Sequence, residues 1–156
     1  GHFRAVLDVH LAGTFLCSRE IGRLMIAQGA GAIVNISSIA GLDGIPGRNA
    51  YGAAKAGIAM MTKSLACEWA THGVRVNAIA PGYTRTALVD KLAADGALDL
   101  GKIRRRSPMG RLVEPVELAE AAWFLASPAA SAITGITLSV DCGWAAFGAA
   151  GDASAG

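Results

Sequence analysis

The stretch Gly31-Ala32-Ile33-Val34-Asn35-Ile36-Ser37-Ser38-Ile39-Ala40-Gly41-Leu42-Asp43-Gly44-Ile45-Pro46-Gly47-Arg48-Asn49-Ala50-Tyr51-Gly52-Ala53-Ala54-Lys55 decides the fold. Ala32 to Ile36 is a short β-branched run, which predicts a buried strand. Ser37 to Gly47 holds three glycines and one proline and reads as a loop. Asn49 is placed to cap a helix from about Ala50 to Thr71. That span has no proline, and its apolar residues Ile58, Met61, Leu65 and Trp69 fall at helical intervals.

The same alternation continues outward. Val6-Leu7, Leu11, Phe15, Ile21 and Leu24-Met25 predict a helix over Phe3 to Ala27, stopped by Gly29-Ala30-Gly31. Downstream, Val74 to Ile79 predicts a second strand closed by Pro81-Gly82. Leu88 to Arg106 reads as one or two short, mobile helices. Pro115 opens a helix to about Ala126, with Glu114 and Glu117 near its positive end. Ile136 to Val140 predicts a third strand. Strands separated by helices require right-handed crossovers, hence a parallel sheet with helices on its faces.

Composition narrows the class. A chain of 156 residues suits one domain. Hydrophobic residues make up 53% and charged residues 17%, which excludes a disordered chain. A net charge of +2 gives no electrostatic footprint for nucleic acid. The 20 glycines follow no collagen period. Three scattered cysteines suit neither a disulfide framework nor a zinc site, so no metal is expected and a reducing cytoplasm is the expected location. No run of 18 apolar residues exists, so no membrane span is expected. The mean hydropathy of +0.42 must then be absorbed by a sheet covered on both faces or by an interface.

In open α/β sheets, ligands bind beyond the carboxyl ends of the strands. Ser37-Ser38 follows the first strand, and Pro81-Gly82-Tyr83-Thr84-Arg85-Thr86 follows the second. Between them the helix opens with Tyr51 and Lys55, four apart and therefore on one face. A free phenol has a pKa of about 10 and is a poor proton carrier near neutrality. A neighbouring ammonium favours the phenolate. Such a pair can take a proton from an alcohol or give one to an alkoxide, and a nearby serine hydroxyl can hold the same oxygen.

These segments together resemble the C-terminal part of a short-chain dehydrogenase/reductase. Asn35-Ile36-Ser37-Ser38 with Gly41 is similar to the family's strand carrying its catalytic serine. Tyr51-Gly52-Ala53-Ala54-Lys55 is similar to its Tyr-x-x-x-Lys. Arg75 to Gly82, then Thr86, resembles the segment that closes over the nicotinamide. Gly110-Arg111-Leu112 with Pro115, Phe124 to Ser127, Thr134-Gly135 and Val140-Asp141 resemble its C-terminal signatures. The resemblance covers 1–147 and leaves 148–156 as a flexible tail.

It implies an α/β, Rossmann-like doubly wound sheet, present as its C-terminal portion of three strands alternating with helices. It implies an oxidoreductase that interconverts a secondary alcohol and a ketone with NAD or NADP. Tyr51 would be the acid–base residue, Lys55 its activator and a holder of the nicotinamide ribose. Ser38 would polarise the substrate oxygen. Ser37 competes for that role, and the thirteen residues from Ser38 to Tyr51 favour Ser38. Pro81, Gly82, Thr84 and Thr86 would hold the nicotinamide. The segments 43–48 and 88–106 would line the substrate pocket. A homo-oligomer, tetramer or dimer, is implied too, with Met60, Met61 and Trp69 in core or subunit packing.

Three departures stand out. His10 occupies the place of the family's catalytic Asn, whose role runs through its backbone carbonyl; His10 either serves in the same way or is a satisfied helix histidine. Cys142 replaces a common glycine and reads as a small buried residue. The family's Gly-rich turn is absent, which implies a longer enzyme whose dinucleotide-gripping half precedes residue 1, this portion alone being inactive. Arg104-Arg105-Arg106 reads as a solvated helix face, or as a contact to phosphate or an acidic substrate. Trp144 and Phe147 read as a cap on the pocket or a subunit contact. Two alternatives stand beside the dehydrogenase: an inactive remnant that only packs against related subunits, and a sugar-nucleotide epimerase or dehydratase.

Overall fold

The computed structural model describes residues 1–149 and 151–153. The order is α1 (His2–Leu7), a π-helical turn (Asp8–Ala12), α2 (Gly13–Gln28), β1 (Gly31–Ile36), a 3-10 turn (Ile39–Gly41), and α3 (Asn49–Trp69). Then come β2 (Val74–Pro81), α4 (Ala87–Ala94), α5 (Leu100–Arg106), α6 (Pro115–Ala126) and β3 (Thr137–Val140). The three strands form one parallel sheet in the order β1-β2-β3. The expected alternation of strands and helices is the observed one.

β2 is the central strand, and Val74, Val76, Ala78 and Ala80 are fully buried. Asn77 and Ile79 on its other face are buried too, so both faces are covered, although Arg75 and Asn77 interrupt the apolar run. Leu65 and Ala66 of α3 and Val74 and Val76 of β2 form one buried apolar cluster, with Ile33 of β1, Met25, Met61 and Trp69 packed against it. Met60, by contrast, points outward and is 61% exposed.

Buried polar groups tie the layers together, since an unpaired one is costly. Asn35 accepts from Ser18 Oγ and donates to Thr62 Oγ1, joining α2, β1 and α3. Asn77 donates to the Ile133 carbonyl and accepts from the Ile136 amide, joining β2 to the start of β3. The Arg75 guanidinium donates to the carbonyls of Leu125, Ala126, Ser127 and Ile133. It thereby supplies donors to the exposed carbonyl end of α6.

Several local expectations are corrected. The N-cap of α3 is Arg48; Asn49 is the first helical residue, and its Oδ1 accepts from the Ala50 amide. The third strand starts at Thr137, because Ile136 is spent on Asn77. Arg106 is not on a solvated face: it lies 5.2 Å from the Trp144 ring and 5.0 Å from the Phe147 ring, and donates to the Trp144 carbonyl. Cys142 is the one non-glycine residue with positive φ among the described residues, at 56°. An L-residue pays about 1 kcal/mol for that conformation, which accounts for glycine being usual there. Burial pushes the Cys142 thiol above its ordinary range and keeps it protonated. Of the expected tail, residues 150 and 154–156 lie outside the described residues, and the Ala153 amide donates to the Arg105 carbonyl at 2.7 Å.

Candidate active site

The carboxyl ends of β1 and β2 lie side by side, with Ile36 paired to Ile79. One further bond continues the ladder: the Ser37 amide donates to the Ile79 carbonyl at 2.8 Å. Beyond it the chain turns sharply, and the 3-10 turn presses against α3. Gly41 makes this approach possible. A Cβ there would lie 2.6 Å from the Lys55 carbonyl carbon and 2.7 Å from the Ala56 amide nitrogen. Gly82 does the same on the other wall, where a Cβ would sit 2.7 Å from Asp141 Cα.

Ser38, Tyr51, Pro81 and Gly82 line one cavity of about 220 Å³, together with Ile39, Ala40, Ile45, Arg48 and Tyr83. Ser38 is buried, and its Oγ accepts from the Ala40 amide at 3.1 Å, which leaves its hydroxyl proton to donate. Ser37 is committed elsewhere: its Oγ donates to the Lys55 carbonyl at 2.9 Å, away from the cavity.

Lys55 stands beside the Tyr51 ring but lines a separate cavity, with Ser18, Asn35 and Ile36. Its Nζ lies 5.5 Å from the centre of the Tyr51 ring and donates to the Ile36 carbonyl at 2.8 Å. Burial lowers its pKa, because a desolvated ammonium is costly. The His10 ring meets the Tyr51 ring edge-on, centroids 5.2 Å apart and planes at 88°. Burial, and then the Lys55 charge, lower the His10 pKa and favour a neutral imidazole. His10 sits in the π-helical turn, and its carbonyl accepts from Thr14 Oγ1 at 2.6 Å. Such turns widen a helix by one residue and mark functional sites.

Thr84 and Thr86 follow the strand end but do not line the cavity. Thr84 Oγ1 donates to the Gly82 carbonyl, and Thr86 is the exposed N-cap of α4, accepting from the Val89 amide. Tyr83 is a wall residue that sequence reasoning did not single out. Its ring lies 5.1 Å from Trp144, whose ring also lies 5.2 Å from the Arg106 guanidinium. Trp144 therefore supports the cavity wall through Tyr83. The only advance sign was its place directly after Pro81-Gly82.

A three-stranded parallel sheet with helical crossovers and a crevice at its strand ends is a Rossmann-like α/β fold. The family model described as enoyl-(acyl carrier protein) reductase matches residues 1–145, and the chain belongs to the short-chain dehydrogenase/reductase family. It is 48% identical over 144 residues to the cis-4-hydroxycyclohexanecarboxylate dehydrogenase of Sinomonas cyclohexanicum, covering 92% of this chain and 57% of that protein. It is 45% identical over 149 residues to the galactitol 2-dehydrogenase (L-tagatose-forming) of Cereibacter sphaeroides, covering 91% and 56%. Among solved structures, a gluconate 5-dehydrogenase from Burkholderia cenocepacia J2315 in complex with NADP and tartrate aligns with a TM-score of 0.88 at 37% identity, covering 94% of this chain and 57% of that one. The chain thus spans about half the length of these relatives. Among the described residues, no helix is long and apolar enough to cross a membrane.

Proposed function

We propose that this chain carries the proton-handling half of an NAD- or NADP-dependent oxidoreductase that interconverts a secondary alcohol and a ketone. One observation carries the reading: Ser38 and Tyr51 face one cavity at the strand ends, with the Lys55 ammonium 5.5 Å from the Tyr51 ring. Two relatives support the substrate class, since one is named for a ring hydroxy acid and the other for position 2 of a polyol, both secondary alcohols.

The residues present fit a nicotinamide cofactor. Tyr51, Pro81 and Gly82 line one crevice at the strand ends, and the Lys55 ammonium lies 5.5 Å from the Tyr51 ring. Those four, with Thr84 and Thr86 at its rim, would hold the cofactor. When bound, the nicotinamide supplies the hydride acceptor or donor. The chain's own groups do the rest. In oxidation Tyr51 Oη takes the proton of the alcohol; in reduction it gives a proton to the developing alkoxide. Ser38 donates its hydroxyl to the same substrate oxygen and steadies its changing charge. Lys55 sets a cation beside the ring that carries the proton. His10 packs the ring edge and fixes its orientation. A homo-oligomer is part of the proposal, because Met60 and Trp123 present 61% and 72% of their surface to solvent.

The test is isotopic. A secondary alcohol deuterated at its carbinol carbon, incubated with NAD or NADP and the complete polypeptide that carries this chain, is expected to yield deuterated nicotinamide and unlabelled ketone. Absence of label transfer with any alcohol would leave the packing remnant as the better reading.

A further inference from the structure

We infer that Arg48 makes the cavity selective for substrates bearing a carboxylate near the reacting hydroxyl: hydroxy acids, and the oxo acids they become. The inference rests on the proposed function and adds the substrate class. Arg48, the exposed N-cap residue of α3, and Tyr51, in its first turn, line the same cavity. A small molecule with its hydroxyl at Tyr51 can therefore reach Arg48 within one cavity.

Of the residues lining the cavity, Arg48 alone carries a full charge. Its backbone is pinned. The amide donates to the Ile45 carbonyl at 3.1 Å, and the carbonyl accepts from the Gly52 amide at 2.6 Å. Among the described residues its guanidinium makes no hydrogen bond or ion pair. The four ion pairs among the described residues join Arg19 and Arg23 to Glu20, Arg85 to Glu114, and Arg111 to Glu117. Asp43, on the same loop, makes no ion pair with Arg48. Nor does the side chain cap α3, whose N-cap has no side-chain hydrogen bond. A planar fork of N–H donors matches a carboxylate in two parallel bonds. The cavity, about 220 Å³ with Ile39 and Ile45 on its wall, suits a short carbon skeleton between the two polar ends.

The experiment compares hydroxypentanoates, with the hydroxyl at each secondary carbon, against the matching amides and a neutral secondary pentanol. It uses the complete enzyme and its Arg48→Gln and Arg48→Lys variants. The wild type is expected to prefer at least one acid over its amide by about ten- to hundredfold in kcat/KM. Arg48→Gln should collapse that preference by raising KM for the acid, while its kcat falls far less. Arg48→Lys should retain part of the preference. Circular dichroism of both variants should match the wild type. If the amides or the pentanol are oxidised as well as the acids, or if Arg48→Gln keeps the preference, the inference is overturned and the dehydrogenase reading stands. If no alcohol is oxidised at all, that reading fails and takes the inference with it.

Discussion

Tyr51→Phe is expected to lower kcat by about a hundred- to ten-thousandfold, the usual worth of a positioned proton carrier, with little change in cofactor affinity. The substitution removes one oxygen and keeps the ring. The edge-on contact with His10 and the position of Lys55 beside the ring both depend on the ring, not on the hydroxyl. Cavity shape and fold are thus preserved, and the loss isolates proton transfer. Steady-state kinetics with a secondary alcohol, paired with a cofactor binding titration, reads both quantities. Normal turnover in the variant would remove Tyr51 from the chemistry. A matching loss of cofactor affinity would mean that its hydroxyl binds and does not catalyse.

The second large effect belongs to Lys55→Met. Methionine has nearly the length of the lysine stem and no charge. We expect kcat to fall by about a hundredfold or more, with folding stability within about 1 kcal/mol of the wild type. Two opposing changes produce the small stability effect. The Ile36 carbonyl loses its 2.8 Å donor. At the same time the desolvation cost of a buried ammonium disappears. That cost has a pH sign. Burial lowers the folded-state pKa of Lys55, so the charged form is the destabilising one. Wild-type stability therefore gains as pH rises through that lowered pKa, and the methionine variant loses this dependence. Thermal melts of both proteins at neutral and alkaline pH check the sign. A strongly destabilised variant would instead assign Lys55 to the core.

Much of this was legible in the sequence because the signals are local. β2 announces itself as a short β-branched and apolar segment closed by Pro81-Gly82. Tyr51 and Lys55 declare a shared face through their spacing. Gly41 and Gly82 mark where backbone presses on backbone. What stayed hidden depends on distant partners. Helical periodicity runs unbroken across Asp8–Ala12, so nothing local revealed the π-helical turn in which His10 meets Tyr51. The stacking of Arg106 on Trp144 joins residues 38 apart, and without it the arginine run reads as solvated. Arg75 and Asn77 fall within a family-like motif, yet in this structure their side chains bond to carbonyls and an amide beyond residue 124. Asn49 misleads because its side chain bonds the adjacent amide, and the N-cap position falls to Arg48, whose side chain makes no capping bond.

The whole account depends on one crevice bringing a phenol and a serine hydroxyl to the same reacting oxygen. A crystal structure of the complete enzyme with oxidised nicotinamide cofactor and a bound secondary alcohol tests this directly. The alcohol oxygen is expected within hydrogen-bonding reach of both Tyr51 Oη and Ser38 Oγ, about 2.6–3.2 Å from each. An alcohol held by other groups, with Tyr51 and Ser38 turned away from its oxygen, would contradict it.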